Sequence, residues 1–73
     1  MVELFVYNSI GVNEFVSGEG WEDYDYEKVD VNSEVIKEYY VYDDIIKIVV
    51  ENDYDEVEVL DEVDRIDEVV FGL

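Results

Sequence analysis

Residues 51–68, ENDYDEVEVLDEVDRIDE, hold ten acidic residues in eighteen, with Arg65 as the one base among them. Val57, Val59, Leu60, Val63 and Ile66 recur between the acids. A disordered acidic tract would carry few apolar residues, having nothing to bury. Any fold of this stretch must bury the aliphatic set and leave the carboxylates in water. That two-sided demand excludes a featureless tail. It predicts an ordered array of carboxylates displayed on a compact body.

The body has little material to draw on. Seventy-three residues limit the chain to one domain, residues 1–73. Its 22 Asp and Glu face 4 Lys and Arg, a formal net charge of -18. Small designed domains usually carry a net charge of magnitude roughly 2–8, and self-repulsion beyond that destabilises the compact state. One Trp, seven Tyr and three Phe oppose it, because each aromatic side chain can bury a large area. Cys, His and Pro are absent. Disulfides and thiolate chemistry are therefore excluded, as are the commonest metal ligand and the usual general base near neutral pH. No apolar run reaches the roughly 18 residues of a membrane span, and no charged-then-apolar leader opens the chain. The anionic surface would be repelled by anionic lipid. A cytoplasmic location is the expectation.

Apolar residues alternate over residues 2–7, with Val2, Leu4 and Val6 on one face and Glu3, Phe5 and Tyr7 on the other, which predicts a strand. Asn8, Ser9, Ile10 and Gly11 read as a turn, residues 13–16 as a short strand and 17–20 as a flexible loop. Residues 21–31 read as a strand that projects Asp23, Asp25 and Glu27 to one side and Tyr24 and Tyr26 to the other. Same-face neighbours would lie about 6.6 Å apart, a spacing similar in scale to the ~3.4 Å of axis per phosphate on each DNA strand.

Asn32 and Ser33 suit the N-cap of a helix reaching about residue 41. Val35, Ile36, Tyr39 and Tyr40 would share one face, and Glu34 would lie one turn from Lys37. Tyr39 and Tyr40 are read as core, although Tyr40, Val41 and Tyr42 equally suit the start of a strand. Residues 45–51 form a continuous β-branched run suited to a central strand. A turn at 52–54 would lead into a strand over 55–60, with Val57 and Val59 inward, closing a hairpin over 45–60.

Residues 61–71 admit two readings. Asp61 could cap a helix lined by Val63, Ile66 and Val70, with Asp61, Glu62, Asp64 and Glu68 outside and Arg65 one turn from Glu62 and Glu68. Alternatively a turn leads into a last strand over 67–71. A short helix or turn followed by an extended end is preferred. The expected fold class is α+β: an antiparallel sheet of about four strands with one or two short helices.

The chemistry open to the carboxylates is narrow. A calcium loop starting at Asp53 fails at Val57, at Glu58 where glycine is required, and at Asp64 where Glu is required. General acid–base catalysis needs two acids held in environments that separate their pKa values. With 22 acids, close pairs arise by chance. There is no phosphate-binding loop, nucleophile elbow or dinucleotide fingerprint, so no enzyme activity, cofactor or metal is expected. Direct nucleic-acid binding is excluded by sign, because such proteins neutralise phosphates with Lys and Arg. An anionic fold can instead occupy the basic groove of a protein that binds phosphate.

On WEDYDYEKVD and ENDYDEVEVLDEVDRIDE, and on its acidic, Tyr-rich composition, the chain resembles the phage-encoded DNA-mimic inhibitors. In size and charge it is most similar to the small acidic inhibitors of the nucleoid protein HU from lytic Bacillus phage. The resemblance implies binding to the basic DNA-binding surface of a host protein, the HU dimer in the nearest case, without catalytic residue or cofactor. Charge density then nominates Glu51, Asp53, Asp55, Glu56, Glu58, Asp61, Glu62, Asp64, Asp67 and Glu68 as the contact surface, with Asp23, Asp25 and Glu27 as a second. An immunity protein or antitoxin neutralising one basic enzyme such as a nuclease is the alternative. A halophilic domain with an acidic solvation surface is a third reading.

Added salt screens self-repulsion, so Tm is expected to rise from low to moderate NaCl. A flat or falling Tm would contradict a folded, self-repelling domain.

Overall fold

A computed structural model describes residues 1–9 and 12–72. Five strands, β1 (Val2–Ser9), β2 (Val12–Val16), β3 (Glu27–Val29), β4 (Glu38–Tyr42) and β5 (Ile45–Val50), precede one helix, α1 (Glu56–Phe71). The strands form a single sheet in the order β2-β1-β5-β4-β3, with every neighbouring pair antiparallel. The fold is α+β, with five strands and one long helix where about four strands and shorter helices were expected.

Register decides which side chains meet. Val2, Leu4 and Val6 stand opposite Val50, Ile48 and Ile46, and Tyr39 and Val41 stand opposite Ile48 and Ile46. Because strand side chains alternate between faces, these residues share one side of the sheet. That side receives Val59, Val63 and Ile66 of α1, and Ile36 completes the core. Phe5 and Ile45, also buried, point to the other side. The segment linking β2 at one edge to β3 at the other packs there, and brings Tyr26 to 6.2 Å from Phe5. A Cβ on Gly18 would lie 2.7 Å from the Phe5 ring, so glycine permits this close crossing.

Four expectations are overturned. The helix proposed from Ser33 to about residue 41 is a pair of bends, at 34–35 and at 37, followed by β4. The Ser33 hydroxyl accepts from the amides of Val35 and Ile36 at 3.1 and 3.0 Å, and the chain then extends to pair with β5. An unpaired edge on β5 would leave backbone groups without partners, and that demand outweighs the helical spacing of Val35, Ile36, Tyr39 and Tyr40. Tyr39 is fully buried, whereas Tyr40 is half-buried. Lys37 bonds the backbone carbonyl of Glu34 at 2.8 Å rather than its carboxylate.

The hairpin over 45–60 is absent. β5 pairs with β1 and β4, and residues 55–60 belong to the start of α1. Val57 is 71 % exposed instead of facing inward. Likewise the extended end over 67–71 is helical, so the helical alternative for that stretch holds from Glu56 onward, capped by Asp55 rather than Asp61. The strand expected over 21–31 shrinks to β3 after a series of turns over 21–24. The turn expected at 8–11 lies partly outside the described residues, and Asn8 and Ser9 are still in β1. Among the described residues no helix is long and apolar enough to cross a membrane.

Ile48→Ala, at a fully buried position of the central strand, is expected to cost about 2–5 kcal/mol in urea unfolding. Val57→Ala is expected to stay within about 0.5 kcal/mol of the parent. A large loss at Val57 would restore the strand reading of residues 55–60.

Candidate functional site

The long helix exists because its apolar residues recur every three or four positions over three turns. Val59, Val63 and Ile66 are buried at that spacing, with Val70 half-buried after them. The Asp55 carboxylate accepts from the Glu58 amide at 3.0 Å and caps the first turn. Glu56 and Glu58 lie in that turn, where the helix dipole favours negative charge. Gly72, at φ 68°, closes the other end.

With 100° between successive residues, Asp61, Asp64 and Glu68 fall on the side away from the buried stripe, and all three are exposed. They are separated along the axis by about 4.5 and 6 Å. Glu58 flanks them. Glu51, Asp53, Asp55 and Glu56 are also exposed, leading into the same end of the helix.

Two of the nominated acids are not part of this open array, and a third, Asp64, stays exposed but accepts from Asn13 Nδ2 at 2.5 Å. Glu62 is half-buried and committed: it receives Arg65 Nε at 2.7 Å and the Ser33 hydroxyl at 3.0 Å. The Arg65 hydrogen bond, the largest influence, holds its carboxyl below the usual range. Arg65 also donates to the Asn32 carbonyl at 3.0 Å, which ties the 30–37 segment to α1.

Asp67 is only 3 % exposed and faces inward. It accepts from Asn8 Nδ2 at 2.6 Å, from Asn13 Nδ2 at 3.0 Å and from the Tyr39 hydroxyl. Four residues after Val63, it falls on the buried side of the helix, so charge density alone misassigned it. Burial raises its pKa from the ordinary carboxylate value, against the hydrogen bonds from Tyr39, Asn13 and Asn8, and Asp64 adds to the rise. The same burial and bond push the Tyr39 phenol far up.

The second nominated surface is broken up. Asp23 and Asp25 lie on the segment covering the sheet face opposite α1, whereas Glu27 pairs with Val41 at the sheet edge and alternates to the helix side. All three are exposed, but they do not line one strand face, and the sheet separates Asp23 and Asp25 from the helix acids.

Sequence reading missed Glu34. The bend after Ser33 sets it beside Glu58, Asp61 and Glu62 around an open cleft between the 32–35 segment and α1. No local pattern signals this, because the two walls come from distant parts of the chain. Counter-charge is sparse: among the described residues the ion pairs are Lys28–Glu38 at 3.8 Å, Lys47–Glu3 at 4.0 Å and Arg65–Glu62 at 2.7 Å. The outer carboxylates of α1 therefore keep their field.

No protein-family model matches the sequence, and neither a curated protein nor a solved structure matches it.

The pKa of Asp67 sets a direction for stability against pH. A carboxyl whose folded pKa is raised stabilises the fold below the unfolded value of about 3.9, and that contribution is lost as pH rises through the raised folded value. Urea unfolding is therefore expected to show higher stability at about pH 5 than at pH 8, the same direction as relief of self-repulsion. Asp67→Asn isolates the buried group and is expected to narrow the difference. An unchanged difference would show that the surface charge alone causes it.

Proposed function

We propose that this protein is a DNA-mimic inhibitor. It would occupy the basic DNA-binding surface of a host DNA-binding protein, with the nucleoid protein HU the foremost candidate, and exclude DNA by electrostatic competition. The observation that supports this most is the outer side of α1. There Asp61, Asp64 and Glu68 stand at i, i+3 and i+7, exposed and with no ion-pair partner among the described residues, Asp64 accepting one neutral hydrogen bond from Asn13.

Spacings of about 4.5 and 6 Å along the helix are of the scale of phosphate spacing on DNA, ~3.4 Å of axis per strand. The array is also ordered before it meets a partner. The buried stripe of α1 fixes it, so binding would not carry the ordering cost of a disordered acidic tail. Complementary charge speeds encounter and makes the complex salt-sensitive. These properties suit a competitor for a phosphate-binding groove.

Fluorescence anisotropy of labelled duplex DNA on purified HU dimer tests the proposal. The protein is expected to displace the DNA, and less effectively as salt rises. Combining Glu56→Gln, Glu58→Gln, Asp61→Asn, Asp64→Asn and Glu68→Gln removes five charges worth about 0.3–0.5 kcal/mol each at an exposed interface. Affinity should fall by about 10- to 100-fold, with a flatter salt dependence and an unchanged fold by circular dichroism. Undiminished binding by this variant would move the contact surface away from α1. A pull-down from nuclease-treated bacterial lysate extends the test. If its only captured protein were a non-DNA-binding enzyme that survives high salt, the immunity-protein reading would replace DNA mimicry.

A further inference from the structure

The sheet face away from α1 carries an aromatic cluster that the helix array does not use. Tyr24 and Tyr42 stack with ring centroids 4.6 Å apart and planes 3° apart. Tyr26 meets Tyr42 edge-on at 5.8 Å, and Trp21 lies 5.7 Å from Tyr24. The stacked pair stays open to water, with Tyr24 41 % and Tyr42 37 % exposed. Scattered exposed apolar residues are ordinary, but a contiguous patch rimmed by polar groups marks an interaction surface.

Lys47 shows what this face accommodates. Its ammonium lies 4.9 Å from the Tyr26 ring centroid and 4.5 Å from that of Tyr40, with a Glu3 carboxylate oxygen at 4.0 Å. Only 21 % of the Lys47 side chain is exposed, in a chain with 4 basic residues. Tyrosine rings and carboxylates on this side of the sheet therefore already hold one cation. Tyr24 and Tyr42 adjoin that site and hold no cation among the described residues. Carboxylates are also close by in the chain: Asp23 and Asp25 flank Tyr24, Asp43 follows Tyr42, and Glu38 accepts from the Tyr40 hydroxyl. A planar guanidinium can lie on a ring face and fork towards a carboxylate at the same time. An ammonium acts as a compact, strongly hydrated point charge.

We infer that the Tyr24–Tyr42 stack and its neighbouring carboxylates bind an arginine side chain of a basic partner protein, on the side of the sheet opposite α1. The inference rests on the proposed function only in taking the partner to be a basic protein. It adds a second contact surface, selective for arginine over lysine.

The test titrates the intact protein with an arginine nonapeptide and with a lysine nonapeptide at equal ionic strength. The emission of Trp21, the single tryptophan of the chain, and the tyrosine ring resonances report binding at this face. The arginine peptide is expected to bind about three- to tenfold more tightly. In Tyr24→Leu/Tyr42→Leu, which keeps an apolar cover without ring faces, the ratio is expected to fall to about one. Because both peptides carry the same charge, the ratio cancels bulk attraction.

A wild-type ratio near one, or a ratio that the two substitutions leave unchanged, overturns the inference. Should the double variant fail to fold, the wild-type resonances decide, and perturbations confined to α1 overturn it. Peptide binding at the stack without displacement of DNA from HU would keep this surface and remove DNA mimicry. Displacement of DNA with no arginine preference would do the reverse.

Discussion

Burial of β5 on both faces is the constraint on which the rest of the structure depends. Ile46, Ile48 and Val50 point towards α1 and are fully or almost fully buried, while Ile45 is fully buried on the opposite side. Such a strand needs hydrogen-bonding partners along both edges and a cover over both faces, because buried backbone groups without partners are costly. β1 and β4 pair its edges. The helix covers one face and the segment between β2 and β3 covers the other. In a chain of net charge -18, this apolar burial is what opposes the mutual repulsion of the carboxylates. Almost all of those are driven to the periphery.

The two covers have different chemistry. α1 presents aliphatic residues inward and carboxylates outward, and the 17–26 segment presents Trp21, Tyr24 and Tyr26 to a half-open surface. The proposed mimicry uses the first and the inferred arginine contact uses the second. Asp67 joins the two halves of the sequence from inside. It ties the paired strands β1 and β2, through Asn8 and Asn13, and β4, through Tyr39, to the C-terminal half of the helix. The acid that charge density nominated for the surface thus helps to fix the angle at which the others are displayed.

Legibility followed the length over which a pattern was sampled. The strands over 2–7 and 45–51 were readable because β-branched and aromatic residues fill them almost continuously. Residues 55–60 misled because Glu56, Val57, Glu58 and Val59 alternate like a strand over four positions. The helical recurrence of Val59, Val63 and Ile66 is visible only over a longer window. Residues 33–41 misled in the opposite sense: Val35, Ile36, Tyr39 and Tyr40 have helical spacing, yet the open edge of β5 recruits Glu38–Tyr42. The hairpin joining them turns at Asp43, at φ 52°, a left-handed conformation that Asp tolerates better than most residues. Asp67 showed its role only in pairing. A polar residue at an inward helical position is matched by Asn8, at the inward parity of β1, and by Asn13 opposite it.

The sequence by itself determined that this is a single α+β domain with a thin aliphatic and aromatic core. It also determined that the surface is overwhelmingly anionic, because composition and short-range periodicity suffice for both. Only the tertiary structure decided which acids form an array. Asp61, Asp64 and Glu68 came together on one side of a helix, Asp67 was withdrawn into the core, Glu62 was committed to Arg65, and Asp23 and Asp25 were placed across the sheet. The physical reason is that over four to six residues the helical and extended patterns are nearly equivalent. The choice between them is made by hydrogen bonds and apolar contacts to β5, which come from residues far away in the chain.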